Sequence, residues 1–139
     1  MSKTRIETRA RARAVQALYA WDLRNGAALE PVAAQLFDDM VVDPDERRLA
    51  SRLVRAVEAN REAIDEALRQ ITTNWRLERL GAVERSVLRL CGAELTVGVT
   101  PPRVAIQEAV RLAERFGSAQ SARFVNGVLD ALARRLGRL

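Results

Sequence analysis

Apolar residues in this chain recur at intervals of three and four, and proline, glycine or a short polar residue cuts the pattern off after a few turns. Almost no stretch alternates with period two, so strands are not expected. The last third is the sharpest case. It reads TPPRVAIQEAVRLAERFGS over 100–118 and AQSARFVNGVLDALARR over 119–135. Pro101-Pro102 suits a first helical turn, and the helix that follows buries Ala105, Ile106, Ala109, Leu112, Ala113 and Phe116. Gly117 stops it and Ser118 starts the next.

The same punctuation runs through the rest. A first helix is expected over about 4–24, with Ala10, Ala14, Ala17, Leu18 and Trp21 on one face and Val15 beside them. Arg5, Arg9 and Arg13 fall opposite, while Arg11 lies nearer the apolar side and is expected to snorkel outward or leave the helix. Asn25-Gly26 ends this element, and Glu30-Pro31 opens a short helix carrying Val32, Leu36 and Met40. Asp43-Pro44-Asp45-Glu46 has cap-like spacing, and Leu49, Leu53, Val57, Ile64, Leu68 and Ile71 continue a long pattern with a bend expected near Asn60. Thr72-Thr73-Asn74 reads as an internal boundary. Beyond it, a helix over about 82–97 turns Val83, Val87, Leu90, Cys91 and Leu95 inward and Arg85 and Arg89 outward. Glu94 lands on its apolar side and needs a partner, for which Arg79 is the candidate. The expectation is an all-α chain of six to seven helices, a single domain over 1–139 with packed helical subdomains at about 1–73 and 74–139.

At 139 residues the chain buries roughly two-thirds of its unfolded surface, enough for a core without staples. Its one cysteine, Cys91, excludes an internal disulfide, and the absence of histidine removes the commonest general base and metal ligand. No phosphate-binding glycine loop or nucleophile elbow is present, so neither an enzyme, nor a cofactor, nor a bound metal is expected. The carboxylate pairs Asp38-Asp39 and Asp45-Glu46 read as helix-end charges. No apolar run approaches the length of a membrane span, and a cytoplasmic location is expected.

The net charge is +5, carried almost wholly by arginine, since lysine occurs only at Lys3. Lys3, Arg5, Arg9, Arg11 and Arg13 crowd the amino end, opposed there by Glu7. Such a cluster is either a solvated helical face or an arm for RNA phosphates, each guanidinium fork holding two oxygens. Tyr19 and Phe124 sit at the rims of apolar stripes, where a ring either packs on the core edge or stacks an unpaired base. In FVNGVLD, Asn126 and Asp130 are placed to bond to each other or to a nearby loop, and Gly127 costs about 1 kcal/mol of helix propensity unless another backbone comes close.

Together these segments resemble the NusB family of bacterial transcription antitermination factors. RARAVQALYAWD over 11–22 is similar to that family's Arg-rich first helix, NWRLERLGAVERSVLRL over 74–90 to its central signature, and TPPRVAIQEAVRLAERFGS with RFVNGVLD to its C-terminal signature. The resemblance implies a non-catalytic helical protein. With NusE, a small-subunit ribosomal protein, it would bind boxA-type single-stranded RNA in ribosomal RNA leaders, reaching RNA polymerase indirectly with other Nus factors. It places RNA contacts on Arg5, Arg9, Arg11, Arg13 and Tyr19, and on the turn Ala119, Gln120, Ser121 and Arg123 with Phe124 beside it. Glu84 and Arg85 match positions of the central motif assigned to the NusE surface. The family's turn usually carries acid where this chain has Ala119-Gln120, a change that favours phosphate binding. Two other readings stay open: a helical module that binds only protein, and a NusB-like accessory domain of an RNA methyltransferase. Monomer and homodimer are equally compatible with the sequence.

Overall fold

The computed structural model describes residues 3–72 and 77–139, with side chains from Arg5 onward. Six α-helices are present among them: α1 (Lys3–Asp22), α2 (Leu29–Asp39), α3 (Pro44–Ile71), α4 (Ala82–Val97), α5 (Pro102–Phe116) and α6 (Ala119–Arg135). A single 3-10 turn at Leu77–Arg79 precedes α4. Most of the expected boundary at Thr72-Thr73-Asn74, together with Trp75, lies outside the described residues.

The helix ends follow the local chemistry. Pro44 and Pro102 occupy first-turn positions, where no amide donor is needed. Ser118 caps α6, its hydroxyl accepting from the Ser121 amide at 3.1 Å. Gly98 closes α4 at φ 78°, a left-handed conformation that a side chain would strain. Asp43 behaves differently from expectation: its side chain makes no cap bond, and Glu46 does not return to it. Glu46 is instead buried and accepts from Arg13 Nε at 2.9 Å, because an ion pair across to α1 satisfies a buried carboxylate better than a solvated cap does. At Asn60, where a bend was expected, α3 runs on as one element, and the Asn60 amide donates to the Ala56 carbonyl at 2.8 Å.

α4 lies at the centre, buried along ten consecutive residues from Ser86 to Leu95. α1, α3, α5 and α6 pack around it, and α2 bridges α1 and α3. One apolar core runs through both halves of the chain, including Leu18, Phe37, Val54, Leu68, Leu88, Leu90, Leu95, Leu129 and Leu132. Gly92 permits the close approach of α3: a Cβ there would sit 2.8 Å from Ile64 Cγ2. Cys91 is buried in this layer as an unpaired thiol, and burial, with the nearby Glu94 charge, pushes its pKa up.

Gly127 is not such a contact. No atom lies within 4 Å of where its Cβ would be, so no neighbouring backbone explains it. Gly127→Ala is therefore expected to raise unfolding stability by about 0.5–1 kcal/mol, by removing unfolded-chain entropy. Urea unfolding measures this, and a lower midpoint would show that the open space matters.

Candidate nucleic-acid interface

Two buried ionic networks decide which arginines are available at the surface. In the first, Arg11 is 6% exposed and turned inward between α4 and α5. Its Nε donates to both Glu94 carboxylate oxygens at 3.1 and 3.0 Å, its Nη2 to Glu94 Oε1 at 2.9 Å, and its Nη1 to Glu108 Oε1 at 3.3 Å. Thr8 adds a hydroxyl donor to Glu108 at 2.8 Å, and Thr100 one to Glu94 at 3.3 Å. Burial alone would lower the Arg11 pKa, but the bonds and charge of Glu94, with Glu108, outweigh it and hold it above its ordinary value.

This arrangement corrects two expectations. Arg11 neither snorkels nor faces RNA, because its fork is committed to two buried carboxylates. Glu94 is partnered by Arg11 rather than by Arg79, which is exposed beside α4's first turn. Position 11 lies close to the apolar stripe of α1, so the nearest acids are those of the helices packed on that stripe.

The second network ties α1, α3 and α4 together. Arg89 donates through Nε and Nη2 to Asp65 at 2.9 and 3.1 Å, and through Nη1 to Asp22 at 3.1 Å. Arg85 donates to both Asp22 oxygens, at 3.2 and 2.5 Å, and to the Leu80 carbonyl. Burial would raise the Asp22 pKa, but the bonds and charges of Arg85 and Arg89 hold it below the usual carboxylate range. The Arg89 and Arg61 guanidiniums lie 5.3 and 4.8 Å from the Trp21 ring centroid. Neither Arg85 nor Arg89 points outward as expected, because each meets an acid on a neighbouring helix. Arg85 is thus a positioning group inside the fold, and Glu84 is the member of that pair that reaches the surface cleft.

The remaining groups form a surface. Arg5 and Arg9 are exposed on α1, and Arg13 is half-buried against Glu46 and Gln16. The Lys3 side chain lies outside the described residues. Tyr19, further along α1, is 41% exposed. It lines a cavity of about 380 Å³ with Leu36, Met40, Val83 and Phe116. One residue along α4, Glu84 lines a second cavity of about 360 Å³ with Arg79, Gln120 and Phe124. Val83, which lines the first, and Glu84, which lines the second, are consecutive in α4. Within that turn Gln120 and Arg123 are exposed and Phe124 is half-buried on the core. Ser121 is buried at 8%, and its hydroxyl donates to Glu84 Oε1 at 2.6 Å. The expected direct role of Ser121 is corrected accordingly: it anchors Glu84. On α6, Asp130 accepts from Arg134 at 2.9 Å instead of bonding Asn126, which is exposed.

Sequence reasoning missed Glu108 of the first network and three members of the other arrangements. Asp22 and Asp65 complete the second network, and Phe116, with the Arg115 guanidinium 4.9 Å from its ring centroid, stands beside Tyr19. The signal that flagged Glu94, an acid at a buried helical register, applies equally to Asp65 beside Ile64 and to Glu108 beside Ala109. No helix among the described residues is long and apolar enough to cross a membrane, and no described group of His, Cys, Asp and Glu side chains is placed to hold a metal ion.

The fold and this face define a small all-helical protein presenting guanidiniums and aromatic rings side by side, a surface suited to a polyanionic chain. The model of the NusB family matches residues 8–134, and the chain belongs to that family. Transcription antitermination protein NusB of Anaeromyxobacter dehalogenans (strain 2CP-1 / ATCC BAA-258) is 45% identical over 139 residues, covering 94% of this chain and 92% of the relative. The protein of the same name from Sorangium cellulosum (strain So ce56) is 44% identical over 127 residues, covering 91% and 90%. Among solved structures, T. maritima NusB superposes with a TM-score of 0.84 at 33% identity, over 92% of this chain and 90% of that one. A chain from the complex of antitermination factors NusB and NusE with dsRNA gives 0.85 at 30% identity, over 94% and 98%.

Proposed function

We propose that this chain is a non-catalytic transcription antitermination factor of the cytoplasm. With NusE it binds boxA-type single-stranded RNA in ribosomal RNA leader transcripts and helps RNA polymerase resist termination. The observation that carries the reading is an α1 that exposes Arg5, Arg9 and Tyr19, with the cleft of Tyr19 and the cleft of Glu84, Gln120 and Phe124 lined by adjacent residues of α4. Guanidiniums hold phosphate oxygens in pairs, and a half-exposed ring offers a face to an unstacked base. Membership of the NusB family and the likeness to a chain from a complex of NusB and NusE with dsRNA support RNA binding together with NusE. In this reading Glu84, held by the Ser121 hydroxyl, faces NusE, and Arg85 supports it from inside.

The test is RNA binding with and without NusE, across a salt series, for a boxA RNA and a scrambled control. The boxA RNA is expected to bind more tightly. Arg9→Ala should lower the salt slope by roughly 0.7, the value for one lost phosphate contact on a single strand. Tyr19→Asp should weaken binding by about 1–3 kcal/mol, one stacked base, with little change in Tm. Equal affinity for the two RNAs would leave a helical module without sequence-specific recognition. Unfolding of the Tyr19 variant would return that ring to the core.

A further inference from the structure

α5 and α6 run antiparallel and leave a groove of about 660 Å³ on the surface. Ile106, Val110 and Ala122 form its apolar floor. Three arginines line it: Arg103 and Arg111 from α5, and Arg123 from α6. All three are exposed, and none makes an ion pair or hydrogen bond among the described residues. That sets them apart from Arg11, Arg13, Arg85 and Arg89, which acids hold inside the fold. Gln107 and Asn126 add exposed amide groups along the walls. The one side-chain carboxylate in the lining, Asp130, is paired with Arg134 at 2.9 Å. Glu114, exposed on α5, stands outside the groove lining.

We propose that this groove is a second phosphate track, which holds the backbone of RNA flanking the element bound at α1 and the turn. The inference rests on the RNA-binding reading above and extends it to a second surface. Arg123 belongs to both, since it stands in the turn before Phe124 and at one end of the groove. From the Arg111 level to the Arg103 level is eight residues of α5, roughly 12 Å along the axis. Unpaired forks at both ends of that span suit phosphate oxygens on a passing strand, and the amides between them suit ribose hydroxyls. An acidic peptide would also meet positive charge here. Continuity with the turn and the amides between the arginines favour the RNA strand.

The experiment uses the full chain with NusE and two RNAs. One is the minimal boxA element, and the other carries unstructured flanks on both sides long enough to span the groove. The double variant Arg103→Ala/Arg111→Ala should bind the minimal RNA unchanged and the flanked RNA about tenfold more weakly. Its salt slope on the flanked RNA should fall by roughly 1.4, for two phosphates at about 0.7 each. Arg103→Lys/Arg111→Lys should keep most of that slope, because the charge remains. Both positions are exposed, so Tm should not move. Arg9→Ala separates the two readings: it should weaken both RNAs alike, and failure to do so would sink the primary site. Three outcomes overturn the track: flanks that add no affinity, a double variant that binds flanked RNA normally, or one that loses NusE while keeping RNA.

Discussion

Arg11→Ala should destabilise the protein by about 3–5 kcal/mol, because it strands Glu94 and Glu108 as charges in the interior. The two carboxylates are 7% and 8% exposed, and Arg11 is the only guanidinium bonded to either among the described residues. The network crosses three helices, so its loss loosens α1 from α4 and α5 together. Chemical denaturation measures the effect as a lower midpoint with an unchanged m-value. Arg11→Lys should recover only part of the loss, since an ammonium cannot reproduce the planar fork that meets Glu94 with two nitrogens. A variant as stable as the parent would show that Arg11 is not the counter-ion of this site. The consequence for function is specific. A defect in RNA loading caused by Arg11→Ala should follow the unfolded fraction, whereas that of Arg9→Ala should appear in fully folded protein.

Arg89→Ala is expected to match that cost, at about 3–5 kcal/mol, by leaving Asp65 without its guanidinium and Asp22 with Arg85 alone. It also removes a cation from the Trp21 ring. The same network sets a pH dependence. The folded Asp22 pKa lies below its unfolded value near 3.8, so this carboxylate stabilises the fold above that value. Its contribution declines as pH falls below it and is lost once pH has passed through the folded pKa. Asp22→Asn should therefore lower stability at neutral pH and flatten the acid limb of the stability curve below about pH 4. Thermal unfolding between neutral pH and about pH 3 checks both parts, and an acid limb as steep as that of the parent would assign the transition to other carboxylates.

Much of the architecture was readable in the chain because helix boundaries are local. Pro44, Pro102, Ser118 and Gly98 act through their own backbone or a neighbour a few residues away. The apolar stripes were equally legible, since burial follows the 3.6-residue period whatever the stripe packs against. Asp43 shows the limit. A cap spacing can be written correctly and still not be used when a residue 33 positions away, Arg13, offers the buried acid a better partner.

The site divides along the same line. Its residue types, guanidiniums and rings near the amino end and near FVNGVLD, were plain in the sequence. Their availability was not. Arg9 and Arg11 are two residues apart on one helix, yet one is exposed and the other lies between two acids 83 and 97 positions along the chain. An arginine's role depends on which carboxylates the packing brings within about 3 Å, and that distance is set by helices remote in sequence. By itself, then, the sequence determined the helices, their inward faces and the chemistry on offer. Tertiary structure alone decided which charges are buried in pairs and which stay free at the surface, because desolvation makes an unpaired interior charge too costly to keep.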